Sequence, residues 1–401
     1  MTTSRVLAAI SFPLLTFAWA HAETYEVRYH RTVTMTNAEA DTIFNAAVTV
    51  LRSDGAGDVN CVIDWTRDDD VEVFTDGDGS IDDRAELTAV LNREGNIKVV
   101  QFINYCGGPN VSAVGCGETP GEDFAVEKTI AANIAGIVWV HEYGHNKGLQ
   151  HRNGATNVMA DAVGPGNRFI NQPECDAYRT SGLNRRVPAL VAGNKEHEGE
   201  IAPEGAVEYV RKLHIRGIDW SHAARISKES VPTLLKMLAD PKDRAYQANI
   251  VTVLCIIGDD ETAKSLIKYY EEGEGPLEVD DYSGRLAVLM HLGNLLNRVD
   301  SDSAWRFVLA NSKASDSRPA KVKWSRPGFA QGNPDEKLLQ NMAIWALGIS
   351  GKPRAMEALQ SLRKQDDRSK ETASIIREAM VLNSTIREKG MSGYLEERAS
   401  H

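Results

Sequence analysis

The sequence lacks several features that would assign it to a special class of protein. Its 401 residues include 45 Lys and Arg against 56 Asp and Glu, so the formal net charge is -11. This deficit of basic residues argues against a nucleic-acid-binding surface, which needs clustered positive charge. Beyond the N-terminal segment, no apolar run reaches the ~18 residues that a membrane-spanning helix needs. Hydrophobic residues at 42% and charged residues at 25% are ordinary for a globular chain, and the length favours two domains.

Cysteine is also scarce, and its placement is uneven. Four of the five cysteines lie in the first half of the chain, and the five are Cys61, Cys106, Cys116, Cys175 and Cys255. Four cysteines allow three disulfide pairings, and the sequence alone does not choose among them. We favour Cys106–Cys116, which would close a glycine-rich loop, together with Cys61–Cys175. Cys255 lies in an apolar helical segment, where a buried free thiol is expected.

The N-terminus has the pattern of a secretory signal peptide. Arg5 precedes an apolar stretch over residues 6–18, and small residues then recur at the spacing that signal peptidase recognises. We predict a signal peptide over residues 1–22 with cleavage after Ala22, and therefore a secreted or periplasmic protein in which disulfides can persist. The alternative is an uncleaved membrane anchor.

The first half of the chain alternates strand and helix signals, which predicts an α+β domain over residues 23–184. A long helix that ends in a histidine-rich segment completes this half. The predicted elements are a strand within 24–35, a helix from Asn37 to about Leu51, short strands at 61–65 and 71–74, a central strand at 98–103, an irregular segment at 104–121 and the long helix from Asp123 to about Leu149.

The second half changes character after a charged linker at residues 185–204. Strand signals vanish, and residues 205–401 show helical periodicity. The segment 254–263 resembles 344–353, and residues 290–293 look like a third copy. Such copies resemble HEAT repeats, in which paired helices stack into a solenoid. An ordinary helical bundle is the alternative, and a polar insertion is expected near 313–335.

One short segment carries the chemistry of the chain. His141 and His145 stand four residues apart on the predicted helix, so both imidazoles project from one face and could bind one metal. Glu142 lies beside them without being a ligand. Gly148 allows the chain to leave the helix in a left-handed turn, which would return His151 as a third ligand. Three protein ligands leave one coordination position open, as in catalytic zinc sites.

This segment, His-Glu-x-x-His-x-x-Gly-x-x-His, resembles the signature of the metzincin zinc proteases. Met159, eight residues after His151, resembles the methionine turn of that family. The resemblance implies a twisted mixed sheet with a long active-site helix, Zn²⁺ as the cofactor, and Glu142 as the general base of peptide hydrolysis. It also implies that an edge strand near 108–117 binds the substrate and that residues 160–170 wall its specificity pocket.

Two positions depart from the family pattern. Some metzincins have a tyrosine ligand two residues after the methionine, where this chain has Asp161, and Arg152 after the third histidine fits no subgroup. A weaker second metal prediction is calcium at Asp76 and Asp78, in a segment that resembles part of a calcium loop. A solvated hairpin turn is the favoured interpretation of that segment.

Three functions are compatible with these patterns. The favoured one is a zinc endopeptidase that acts on a protein or peptide substrate, because a site without activity would usually have lost Glu142 or a histidine. The second is a non-catalytic or regulatory scaffold that binds a partner protein through the HEAT-like region and holds a structural zinc. The third keeps the zinc chemistry but gives it a non-protein amide as substrate.

Overall fold

The computed structural model describes residues 22–52, 59–68, 70–128, 131–152, 154, 156–164, 166–180, 199–313, 322–327, 336–365 and 369–399. The described chain is a mixed α/β region followed by a helical region. The strands are β1 Ala22–Tyr25, β2 Val27–His30, β3 Asp64–Arg67, β4 Glu72–Phe74, β5 Ser80–Ile81, β6 Ile97–Val100, β7 Phe102–Tyr105, β8 Pro109–Ala113, β9 Gly115–Gly117, β10 Phe124–Glu127, β11 Ala162–Val163, β12 Leu213–His214, β13 Gly275–Pro276 and β14 Trp324–Ser325.

The helices follow the same chain order, with short 3₁₀ turns at Lys228–Ser230 and Pro241–Tyr246. None of the described helices combines the length and the apolar character that a membrane crossing requires. The helices are α1 Asn37–Leu51, α2 Arg84–Leu91, α3 Ala132–Asn146, α4 Gln172–Tyr178, α5 Pro203–Val210, α6 Trp220–Ala223, α7 Val231–Leu238, α8 Gln247–Ile257, α9 Asp260–Glu271, α10 Val279–Arg298, α11 Asp302–Asn311, α12 Glu336–Ile349, α13 Pro353–Arg363 and α14 Lys370–Ala399.

A five-stranded sheet carries the first region. Its strand order is β4-β2-β6-β10-β9, with β6 in the centre, as the sequence predicts. The first four strands run parallel, and β9 is an antiparallel edge strand. A smaller sheet of β5, β7 and β8 lies beside it, and β1 pairs with β3. The predicted central strand is therefore two strands, because the chain passes from one sheet to the other at Gln101.

Helix α1 begins where the sequence predicts. Thr36 caps the helix by accepting a hydrogen bond from the Glu39 amide, and the Glu39 side chain accepts one from the Thr36 amide in return. This capping box satisfies amides that the first helical turn leaves without partners. The buried face of α1 then packs on α3, with Phe44 against Trp139.

The predicted long helix from Asp123 is wrong over its first part. Residues Phe124–Glu127 form strand β10, which pairs in parallel with β6, and helix α3 begins only at Ala132. The side chains of Phe124, Ala125 and Val126 are fully buried. A short apolar run buried on both faces has no alternation that would distinguish a strand from a helix.

The helical region is confirmed from α5 onward. Helices α8, α10, α12 and α14 pack side by side in that order. The alternate helices α9, α11 and α13 pack against them as the second members of helical hairpins. Helix α14 is kinked at Gly390. Residues 181–198, which include most of the predicted linker, lie outside the described residues. So do residues 1–21 of the predicted signal peptide 1–22, whose last residue, Ala22, begins β1.

One apolar core spans the smaller sheet and the helical region, and a second core lies within the first region around α1 and α3. Phe102 of β7 packs against Tyr282 of α10 with ring centroids 5.3 Å apart, and Tyr105 packs against Trp345 of α12 at 6.2 Å. The buried Arg326 guanidinium donates to Asp78 Oδ2 at 2.9 Å and to Ser80 Oγ at 2.8 Å. The helical region is therefore packed directly onto the smaller sheet.

The favoured disulfide pairing is confirmed. Cys61 is bonded to Cys175, with Cα atoms 5.4 Å apart, and Cys106 is bonded to Cys116, at 5.7 Å. Cys255 is a buried free thiol in α8, as predicted.

Candidate metal centre

The last turns of α3 hold the first two histidines of the motif. His141 and His145 are both buried, and their Nδ1 atoms lie 2.8 Å from the carbonyl oxygens of Val158 and Leu149. A carbonyl oxygen only accepts hydrogen bonds, so each Nδ1 carries the proton and each Nε2 presents a lone pair. These bonds fix the orientation of both rings, as hydrogen bonds to the far nitrogen commonly do for metal-binding histidines.

His151 reaches the same place through the predicted chain reversal. Gly148 has a φ of 82°, a left-handed conformation that suits glycine, and the chain leaves α3 there. The following residue, Arg152, forms a two-pronged ion pair with the buried Glu174 of α4 at 2.6 and 2.8 Å. The Arg152 amide also donates to the Met159 carbonyl at 2.7 Å. The segment after the third histidine is thus anchored on both sides.

The three Nε2 atoms converge on one point. His141 Nε2 lies 3.0 Å from His145 Nε2, and His151 Nε2 lies 3.2 Å from each of them. Tetrahedral zinc with Zn–N bonds of about 2.0–2.1 Å separates its nitrogen ligands by about 3.3 Å. Within the described residues, this is the group of three side chains that could hold a metal ion.

The protonation of the rings also fits a cation. Burial lowers the pKa of His141 to about 3 and that of His145 well below its usual value, so both are neutral near pH 7. Two neutral rings with inward lone pairs 3.0 Å apart repel each other unless a positive ion lies between them. The three nitrogen donors therefore fit a borderline-soft divalent ion.

Glu142 lies next to the three histidines and is fully buried. Neither carboxylate oxygen makes a hydrogen bond of ordinary geometry to the described residues. Burial raises the pKa of Glu142 to about 7, although the Arg216 charge and the Gly117 amide oppose the rise. A carboxylate with this pKa is suited to take up and release a proton near neutral pH.

The glycines of β9 make room for this carboxylate. A Cβ on Gly115 would lie 2.4 Å from Glu142 Oε1, and a Cβ on Gly117 would lie 2.8 Å from Glu142 Oε2. The buried amide of Asn146, one turn after Glu142, faces the same strand and has no hydrogen-bond partner in the described chain. Neither Asn146 nor the two glycines are predicted from the sequence, although Gly-Cys-Gly within the predicted edge strand is a usable signal.

Met159 lies directly beneath the histidine helix and is fully buried. A Cβ on Gly144 would lie 2.5 Å from Met159 Sδ and 2.8 Å from the Tyr178 hydroxyl. Tyr178 donates to the Val140 carbonyl at 3.2 Å and contacts Met159 Sδ at 3.4 Å. The sequence places Met159 correctly near the histidines, while the need for glycine at position 144 was not foreseen.

Arg216 also adjoins the site and is not predicted from the sequence. It lies 65 residues after His151, in the helical half of the chain, yet its positive charge lowers the pKa values of Glu142 and of the three histidines. Its guanidinium makes a long hydrogen bond of 3.5 Å to the Gly117 carbonyl. No local sequence pattern links Arg216 to the histidine motif. Its contact with Gly117 depends on how the chain returns to the sheet after α5.

The calcium segment has a different environment. Asp76 pairs with Arg93 at 2.6 Å, and Asp78 pairs with Arg326 at 2.9 Å and accepts from the Ser80 amide. Both carboxylates are thus neutralised by arginines. The favoured hairpin does not form either, because β4 and β5 on its two sides belong to different sheets. The segment is a connection between sheets, with left-handed glycines at 77 and 79.

Comparison with known proteins adds no family to this description. Neither the known protein-family models nor the curated proteins contain a match to the chain.

Proposed function

We propose that this chain is a zinc-dependent endopeptidase of metzincin type. The observation that carries the proposal is the convergence of three histidine Nε2 atoms within 3.0–3.2 Å of one another beside the fully buried carboxylate of Glu142. His141, His145 and His151 would hold the ion. A bound zinc supplies Lewis acidity, which polarises a carbonyl and makes water a better nucleophile at neutral pH.

The surrounding fold supports this proposal. An antiparallel strand closes the edge of an otherwise parallel sheet, and the histidine helix lies against that strand. Met159 packs under the same helix. These features agree with the layout that the metzincin resemblance implies, in which an extended substrate pairs with the edge strand. The stacked hairpins of α8 to α14 agree with the HEAT-like repeat.

The residues of the chain would divide the work as follows. Glu142 would accept a proton from the attacking water and deliver it to the leaving amine, since its pKa of about 7 allows both steps. The outward amides of β9 would align the peptide backbone. The carbonyls of Val158 and Leu149 would keep the two helical histidines in register. The two disulfides and the predicted signal peptide support a secreted or periplasmic setting.

The direct test measures zinc content and cleavage of unfolded casein on the same samples. Glu142→Gln should keep the zinc and lose cleavage by about 10²–10⁴-fold, because the amide cannot accept the proton. Glu208→Gln, an exposed change on α5, is the matched control and should behave as wild type. Cleavage that survives Glu142→Gln would refute this mechanism. Stoichiometric zinc without cleavage of any peptide would favour the scaffold function.

A further inference from the structure

A short segment of the helical half lies between the chain at Ala113–Gly115 and the segment that follows Met159. We call Leu213–Gly217 the strap. On one side Arg216 pairs in antiparallel fashion with Ala113, the last residue of β8, which Val114 joins to β9, and on the other side His214 pairs with Ala162 of β11. The strap is thus an additional strand between the edge of the sheet and the segment that follows Met159.

The strap uses the hydrogen-bonding groups that an extended substrate would need. The Ile215 carbonyl accepts from the amides of Val114 and Gly115 at 2.8 and 3.3 Å. The Ile215 amide donates to the Asp161 carbonyl at 3.1 Å, and its side chain is fully buried. A peptide cannot pair with these backbone groups while Ile215 remains there, because each amide donates one hydrogen.

The Arg216 side chain of the strap also reaches the end of β9 and lies near Glu142. Its guanidinium contacts the Gly117 carbonyl, at the far end of β9, and its charge acts on Glu142. Both Glu142 oxygens are inaccessible to solvent. The proposed general base therefore cannot be reached by a peptide in this arrangement.

A contact away from the histidines anchors the end of the strap. The Asn110 side-chain amide donates to the Arg216 carbonyl. Gly217 follows with a φ of 80°, and a Cβ there would lie 2.1 Å from Asn110 Oδ1. The strap therefore depends on glycine at 217 for two reasons, backbone conformation and space.

We propose that the strap is an intramolecular substrate mimic that keeps the chain latent, and that peptide access requires the strap to leave the edge of β9. This inference rests on the proposed peptidase function and adds its regulation. Because the strap lies between α5 and α6, it is part of the helical region, which would thereby control the metal centre.

The test displaces the strap without touching the metal ligands or Glu142. Gly217→Ala introduces the clash with Asn110, and Gly77→Ala is the matched control, because Gly77 has a similar φ of 83° but open space around its Cα. Both variants are made in the full-length zinc-loaded protein. The readouts are hydrogen exchange at the Val114 and Gly115 amides, casein cleavage, and binding of a peptide hydroxamate to the cobalt-substituted protein.

We expect Gly217→Ala to speed exchange at both amides and to raise casein cleavage and hydroxamate affinity by at least about tenfold, as removal of a dominant closed state does. Gly77→Ala should match wild type in all three readouts. Faster exchange with unchanged cleavage and unchanged hydroxamate affinity would overturn the proposal. If no form cleaves casein while zinc is bound, the peptidase function fails. Tighter hydroxamate binding by Gly217→Ala would then still support the strap as the occupant of the edge of β9, and equal binding would reject it.

Discussion

The candidate metal centre and the strap lie close together, but they are assembled over different distances along the chain. The three histidines come from eleven consecutive residues, held by one helix and one left-handed turn. The strap reaches the same part of the molecule from the helical half, through pairing with Ala113 and Ala162. The comparison shows that local spacing can bring three side chains together, while the placement of the strap depends on long-range packing.

The largest effect is expected from a variant that disrupts the three-histidine group, which comes from a short stretch of sequence. His145→Ala removes an imidazole whose Nε2 lies within 3.2 Å of the Nε2 atoms of both other histidines. We expect zinc affinity to fall by more than about 100-fold, since even partners of ligands commonly contribute 10–100-fold. Zinc competition with a chelating dye measures this. Wild-type affinity in the variant would mean that the three histidines do not form the site.

The next largest effect is expected from a variant that disrupts long-range packing between the helical region and the smaller sheet. Arg326→Leu removes the buried guanidinium that joins the helical region to Asp78 and Ser80. Loss of these bonds should lower the free energy of unfolding by about 2–4 kcal/mol in urea denaturation. Lys323→Leu, at an exposed neighbour, is the control and should change it by less than about 0.5 kcal/mol. Equal effects would contradict the shared core.

A smaller effect concerns the support beneath the histidines. Gly144→Ala places a methyl group against Met159 Sδ and the Tyr178 hydroxyl. Overpacking of this kind costs about 1–3 kcal/mol, and the displaced helix should also bind zinc less tightly. Gly164→Ala serves as control, because nothing lies within 4 Å of its Cβ position. Unchanged stability and zinc affinity in Gly144→Ala would show that Met159 does not support the metal centre.

The smallest effect is a pH dependence within the helical region. Burial lowers the pKa of His291 from its ordinary value to about 4. As the pH falls, His291 therefore binds a proton in the unfolded chain before it does so in the folded chain. The stability that neutral His291 allows above pH 6.5 is lost as the pH falls towards 4. His291→Gln should reduce the loss of stability between pH 7.5 and 5.5 by about 1 kcal/mol, measured by urea denaturation at both values. An identical loss in both proteins would mean that His291 titrates normally.

The sequence predicted those parts of the fold that depend on neighbours in the chain. The start of α1 follows from the Thr36 cap, and the left-handed turn at Gly148 follows from the missing Cβ. The pattern failed at Phe124–Glu127, because a buried parallel strand is apolar on both faces and has no period of two.

The candidate site divides in the same way. The closeness of the three histidines was predicted, since histidines four residues apart on a helix share one face. The roles assigned to Glu142 and Met159 stay predictions, although both lie where the resemblance puts them. Asn146 and Arg216 could not be predicted from spacing. Asn146 lies at the site because β9 packs against α3, and Arg216 lies there because the chain returns to the sheet after α5.

The bond between Cys61 and Cys175 has a consequence for the order in which the protein matures. Cys175 follows Glu174 on α4, and Glu174 holds Arg152, the residue next to His151. Oxidation of this one pair therefore secures the helix on which the third imidazole indirectly depends. A chain in which this pair is still reduced lacks that constraint, so we expect full metal loading to follow oxidation.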